Sequence, residues 1–132
     1  MRLLGWDEFN SCVNSITNEC KNKQFSGVYG FPRGGLCLAV ALSHALNIPL
    51  LEEIRPGCLV VDDVYETGKT LNKVLEVPNT TTFVWYSKVQ PQWWNAIEVT
   101  HPDEWLVFPW ENRDRAAEDM KAYQSSRNRS DD

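Results

Sequence analysis

Residues 59–70 do most to restrict the folds open to this chain. They read Leu-Val-Val-Asp-Asp-Val-Tyr-Glu-Thr-Gly-Lys-Thr. An apolar β-branched run predicts a buried strand, and it ends on two adjacent carboxylates. A Thr-Gly-Lys-Thr turn then opens a helix, predicted from residue 68 to 75. Exposed turn N–H groups and a helix N-terminus suit a phosphate. The carboxylates suit sugar hydroxyls or a metal, so a phosphorylated sugar is the simplest ligand that uses both parts. Gly68-Lys69-Thr70 is not a nucleoside-triphosphatase loop. That loop needs a glycine five residues before the Gly-Lys-Thr, and Asp63 stands there, where it would repel a triphosphate.

The flanking segments predict strands alternating with helices. Trp6, Phe9, Val13, Ile16 and Cys20 step by three and four, giving an amphipathic helix over residues 6–22 with Trp6 and Phe9 as core anchors. Residues 25–30 read as a strand, 36–46 as a buried helix closed by Asn47 and Pro49, and 49–51 as a brief strand. Residues 80–86 and 96–100 read as further strands and 112–123 as a helix. The polar residues 125–132 read as a disordered tail. This alternation predicts an α/β fold, a parallel sheet with helices on both faces, in a single domain over residues 1–124. Ligands in such folds sit beyond the carboxyl ends of the strands. The loops 31–35 and 63–70 both lie there.

With 132 residues and 42% hydrophobic content the chain can build one packed core. A net charge of −5 argues against nucleic acid or an anionic membrane as partner. The four cysteines form no CxxC pair, and His44 and His101 fall at no zinc-ligand spacing. The longest apolar run, residues 36–42, is too short to cross a bilayer, and the N-terminus has no signal-peptide pattern. These features predict a cytoplasmic protein with reduced thiols.

Two further constellations carry chemistry. In Phe31-Pro32-Arg33-Gly34-Gly35 two glycines admit a ligand close to the backbone, ahead of a helix N-terminus, and Arg33 adds a charge. Lys88 follows a strand and can donate to a carbonyl oxygen. Trp105 can stack on a flat heteroaromatic ring, with a backbone carbonyl beside it to accept from an amine. Trp110 reads as packing.

The 59–70 stretch resembles the phosphoribosyl pyrophosphate signature of the type I phosphoribosyltransferases. The order of all three motifs, from Trp6-Asp7-Glu8 to Phe108-Pro109-Trp110-Glu111, resembles the bacterial and archaeal xanthine/hypoxanthine/guanine phosphoribosyltransferases. The resemblance implies that Asp62 and Asp63 hold the ribose hydroxyls, directly or through Mg2+, and that Glu66, Thr67, Gly68, Lys69 and Thr70 surround the 5′-phosphate. It implies Arg33 and Gly34 for pyrophosphate, Lys88 for the purine O6, and Trp105 and the Leu106 carbonyl for the base. Asp62, Asp63 and Glu111 are the implied Mg2+ contacts. Glu66 is the implied general base, with Asp62 and Asp63 beside it in the catalytic group. The loop before the second glycine often holds a non-proline cis peptide in this family. Implied partners are phosphoribosyl pyrophosphate and a purine base, in a homodimer or homotetramer.

The chain departs from the family twice. Glu66 stands where the family usually has Asp. The long mobile loop before the signature strand is absent, since only residues 51–58 separate the two strands. Two readings stay open: a purine phosphoribosyltransferase, or a non-catalytic regulatory protein that binds nucleotide or phosphoribosyl pyrophosphate.

Overall fold

The computed structural model describes residues 1–130, without the side chains of 127–130; Asp131 and Asp132 lie outside the described residues. The chain forms two compact units, Asn10–Pro102 and Met1–Phe9 with Asp103 onward, where the sequence suggests one domain.

In chain order the elements are β1 (Arg2–Leu3), α1 (Trp6–Cys20), β2 (Val28–Gly30), α2 (Gly34–Leu46) and β3 (Leu59–Tyr65). There follow β4 (Thr81–Ser87), β5 (Asn95–Val99), β6 (Leu106–Val107) and α3 (Ala116–Ser130). In the larger unit β2, β3, β4 and β5 form a four-stranded sheet in that order, parallel at every pairing. Residues 49–51 reach it only through an isolated Val28–Leu50 bridge, short of the strand expected there.

The expected side-chain alternation explains how the sheet is covered. Val60 and Val84 join Phe31, Cys58, Tyr65, Leu71, Val74 and Trp94 in one buried cluster. Leu59 and Val61 point the other way. Helix α2 packs on β2 and β3 and buries Leu38, Ala39 and Leu42. Its remaining apolar residues are not all enclosed: Leu36 and Val40 are exposed, so this helix is not buried all round as its composition suggests. Asn47, at φ 53°, ends it in the left-handed conformation that asparagine tolerates.

Helix α1 buries Phe9, Ile16 and Cys20 as their spacing requires, but Cys12 is buried where the stripe predicts Val13, and Val13 is only half-buried. Trp6 is 53% exposed and is not a core anchor. Its ring lies edge-on to Phe9 in the smaller unit, where Trp110 stacks on Phe108 at 5.1 Å between centroids. Trp110 is a packing residue, as expected. The smaller unit also holds a parallel β1–β6 pair too short to be read from the sequence. Helix α3 starts at Ala116, after a 3-10 turn over Arg113–Arg115, and continues through Ser130. Residues 125–130 are therefore helical where the sequence suggests disorder.

Candidate active site

The central strand, expected over residues 59–62 with the acid pair at its end, runs three residues further. Asp62 and Asp63 lie inside β3, which runs on to Tyr65. The reason lies in the pairing. On one side β3 stays paired to β4 through Tyr65↔Ser87. On the other side β2 stops at Gly30↔Val61, one residue before the acids. That early stop lets the chain turn over the acids: Phe31 N–H donates to the Val61 carbonyl at 3.2 Å, and the loop through Gly34 follows. A β-carbon on Gly34 would collide with the Asp63 carboxylate, and one on Gly35 would lie 3.3 Å from Asp62 Oδ1. The 31–35 loop and the acid pair, separate in sequence, thus form one site. The Pro32–Arg33 peptide is cis, the form the family resemblance implies. Arg33 is exposed at the head of α2.

The acids are half-buried and close to each other. Asp62 Oδ1 accepts from Asp63 N–H at 2.8 Å, and Asp63 Oδ1 accepts from Val64 N–H at 2.8 Å. Burial, then the charge of Asp63, pushes Asp62 up to about 8. Burial also raises Asp63, with hydrogen bonds from its neighbours opposing. Two carboxylates held in this way call for hydroxyl donors or a cation. Their hard oxygens fit Mg2+. Among the described residues no group of three or more potential ligands converges, so water and phosphate oxygens would complete the shell.

Residues 66–70 form the next turn. Gly68 has φ +78°, and a β-carbon there would run into the Tyr65 hydroxyl, so glycine is required twice over. Lys69 N–H donates to Thr67 Oγ1 at 3.3 Å and Asn72 N–H to the Gly68 carbonyl at 2.8 Å. Among the described residues the N–H groups of Thr67, Gly68 and Thr70 have no acceptor within the chain. The helix expected over 68–75 is a 3-10 helix, Leu71–Glu76. The backbone of the turn, more than a helix macrodipole, is what would hold an anion here.

Lys88 sits at the end of β4, beside the end of β3, and its N–H donates to the Tyr65 carbonyl at 2.9 Å. Its side chain is 7% exposed and its Nζ lies 2.7 Å from Glu66 Oε1. Sequence assigned these residues to separate jobs; the structure brings them into one charge-assisted pair. The parallel register that sets strand ends 65 and 87 side by side is the cause, and it is invisible in sequence.

The other assigned residues lie in the smaller unit. Trp105 packs against Tyr123 at 5.0 Å between centroids, and its indole N–H is buried without a partner. The Trp105 and Val107 carbonyls accept from the N–H groups of Arg2 and Leu4, so alternation turns the Leu106 carbonyl to the opposite edge. Glu111 Oε1 accepts from Phe108 N–H at 3.2 Å, which gives that carboxylate a turn-closing role.

A four-stranded parallel sheet with an acid pair, a phosphate-type turn and a glycine loop at its carboxyl end defines a type I phosphoribosyltransferase fold. No protein-family model matches the chain. It is 25% identical over 133 residues to the xanthine-guanine phosphoribosyltransferase of Chromohalobacter salexigens, covering 82% of each. A purine phosphoribosyltransferase structure from Pyrococcus horikoshii matches at TM-score 0.68 and 26% identity, over 83% of this chain and 93% of that one. The xanthine-guanine-hypoxanthine phosphoribosyltransferase of Helicobacter pylori shares the fold at TM-score 0.65 and 16% identity. The fold and the similarity over most of the chain support a type I phosphoribosyltransferase of the xanthine/hypoxanthine/guanine kind.

Proposed function

We propose that the chain transfers ribose 5-phosphate from phosphoribosyl pyrophosphate to a 6-oxopurine, releasing pyrophosphate. The Lys88–Glu66 pair carries this reading. A buried ammonium beside a carboxylate presents a donor next to an acceptor. One edge of a 6-oxopurine presents the matching acceptor and donor, its O6 and its ring N–H. A sugar-phosphate site alone would need neither group.

In this mechanism the Thr67–Thr70 turn binds the 5′-phosphate through backbone N–H groups and Lys69. Asp62 and Asp63 hold the ribose 2′- and 3′-hydroxyls. Gly34, whose missing side chain lets the loop lie against Asp63, and Arg33 receive the pyrophosphate. Positive charge develops on the sugar as the C1–oxygen bond breaks, and the Asp63 carboxylate, joined by Asp62 once ligand binding draws off its proton, stabilises it electrostatically. Lys88 donates to the purine O6 and fixes the ring. Glu66 accepts the proton from the attacking purine as general base. Bound at Asp62 and Asp63, Mg2+ would neutralise the leaving pyrophosphate oxygens. These roles are derived from the Asn10–Pro102 unit alone. Roles for Trp105, Leu106 and Glu111 rest on the family resemblance.

One observation favours the regulatory reading. The 51–58 segment, which stands where the family's long loop belongs, is tied down. Ser26 Oγ donates to the Pro56 carbonyl at 2.9 Å, and Gly57 N–H donates to the Pro78 carbonyl at 3.2 Å. The segment has no length to close over a reacting centre. The deciding experiment incubates the protein with phosphoribosyl pyrophosphate, Mg2+ and guanine, hypoxanthine or xanthine, and measures nucleotide and pyrophosphate. Product from at least one base is expected. Nucleotide binding with no product from any base would favour the regulator.

A further inference from the structure

We infer that Trp94 is a positioning residue that ties the base-reading turn to the phosphate turn. The inference rests on the proposed function for the identity of the two ligands. Trp94 lies between the strands, outside every motif, and is 4% exposed. Its ring stacks on Tyr65 at 3.6 Å between centroids and 14° between planes. The Tyr65 hydroxyl lies against Gly68, in the space a β-carbon would fill. One face of Trp94 therefore supports the phosphate turn through Tyr65.

Its polar edge acts elsewhere. Trp94 Nε1–H donates to Ser87 Oγ at 3.1 Å, and the Ser87 hydroxyl donates to the Val89 carbonyl at 2.6 Å. These bonds bracket Lys88, whose N–H returns to the Tyr65 carbonyl and whose Nζ returns to Glu66. A closed circuit runs from Gly68 through Tyr65, Trp94, Ser87 and Lys88 to Glu66. Tryptophan offers both connections in one side chain: a broad ring for the stack and an N–H for the serine. Trp93, edge-on to Trp94 at 5.3 Å and to Tyr65 at 6.4 Å, braces the stack from the side.

The two connections separate by substitution. Trp94→Phe keeps a stacking ring and removes the N–H, while Trp94→Leu removes both. Steady-state KM for purine and for phosphoribosyl pyrophosphate is measured for each, with Ser87→Ala and the Trp94→Phe/Ser87→Ala double variant, alongside melting temperature. Loss of one buried hydrogen bond predicts about a fivefold rise in purine KM for Trp94→Phe. Its KM for phosphoribosyl pyrophosphate stays within about twofold. Ser87→Ala, which loses the bond to Val89 as well, raises purine KM at least as much, and the double variant is no worse than Ser87→Ala alone, since the Trp94–Ser87 link is already broken in it. Trp94→Leu raises both KM values. If Trp94→Leu fails to fold, the Phe and Ala variants decide. Equal changes in both KM values for Trp94→Phe, no change in either, or additive effects in the double variant would overturn the inference alone. A wild-type chain that turns over no 6-oxopurine would overturn the proposed function and this inference together.

Discussion

Asp62 gives the sharpest test of the site. Its folded value, about 8, lies above the ordinary 3.8 because burial and Asp63 disfavour its charge. Below about pH 4 the carboxyl is neutral folded and unfolded, and costs nothing. Between about 4 and 8 the unfolded chain gives up this proton and the folded chain keeps it, so stability falls as pH rises. Above 8 the cost is complete. Each unit is about 1.4 kcal/mol, which bounds the cost at neutral pH at about 4 kcal/mol; water entry and side-chain relaxation should leave roughly 1–2. Asp62→Asn removes the ionisation. Its amide keeps an acceptor for Asp63 N–H and a donor toward the Asp63 carboxylate. The variant should melt about 4–8 °C above wild type at pH 8 and match it near pH 4.5. Mg2+ should narrow the gap at pH 8 by stabilising only the wild type. The same variant should bind nucleoside monophosphate more weakly at every pH. Thermal unfolding by circular dichroism at half-unit pH steps, with and without Mg2+, reads the first effects; calorimetry reads the last. A variant less stable than wild type at pH 8, or one offset equally at both pH values, would refute the reasoning.

Other changes test the remaining parts. Gly34→Ala sets a methyl against the Asp63 carboxylate; weaker pyrophosphate inhibition and a loss of about 1–3 kcal/mol in urea unfolding are expected. Gly68→Ala is strained by its positive φ and by Tyr65, and should cost at least about 1 kcal/mol while raising KM for phosphoribosyl pyrophosphate more than for purine. Glu66→Gln keeps the length and loses the base, so kcat should drop about 100-fold, with KM for phosphoribosyl pyrophosphate little changed. Lys88→Met leaves Glu66 without its ammonium and should raise purine KM about 10-fold or more, with the greatest loss for ligands carrying a 6-oxo group.

The legible parts of this fold were those whose cause is local. The apolar run ahead of Asp62, the β-branched and aromatic run of β4 and the three-four spacing of Phe9, Ile16 and Cys20 each follow from one residue's effect on its near neighbours. What sequence missed depends on pairing at a distance. Asp62 and Asp63 fall inside β3 because β4 runs alongside them, a fact written in Val84 and Tyr86. Trp94 reads as one tryptophan among six, and only the fold stacks it on Tyr65. Trp6 fits a helical stripe yet faces outward, since periodicity names a face and not what covers it.

The departure at Glu66 bears on the choice between enzyme and regulator. In the family an aspartate usually stands here. Glutamate adds a methylene, which moves the carboxylate about 1.5 Å along its stem. A protein that only senses the sugar phosphate gains nothing from a carboxylate directed toward the base, and drift to a neutral residue would relieve the repulsion with Asp63. Here the carboxylate stays, and its longer arm meets a buried ammonium at 2.7 Å. Removing either partner would strand a charge: Lys88 is nearly enclosed, and an unpaired ammonium there is strongly disfavoured. The pair must therefore open, or share its proton donors, when a purine arrives. Such an exchange costs little for a ligand that offers an acceptor to Lys88 and a proton to Glu66 at once, and much for one that offers only one. That asymmetry favours a 6-oxopurine over a 6-aminopurine, and it favours turnover over mere binding, because the proton Glu66 would accept is the one the proposed reaction must remove.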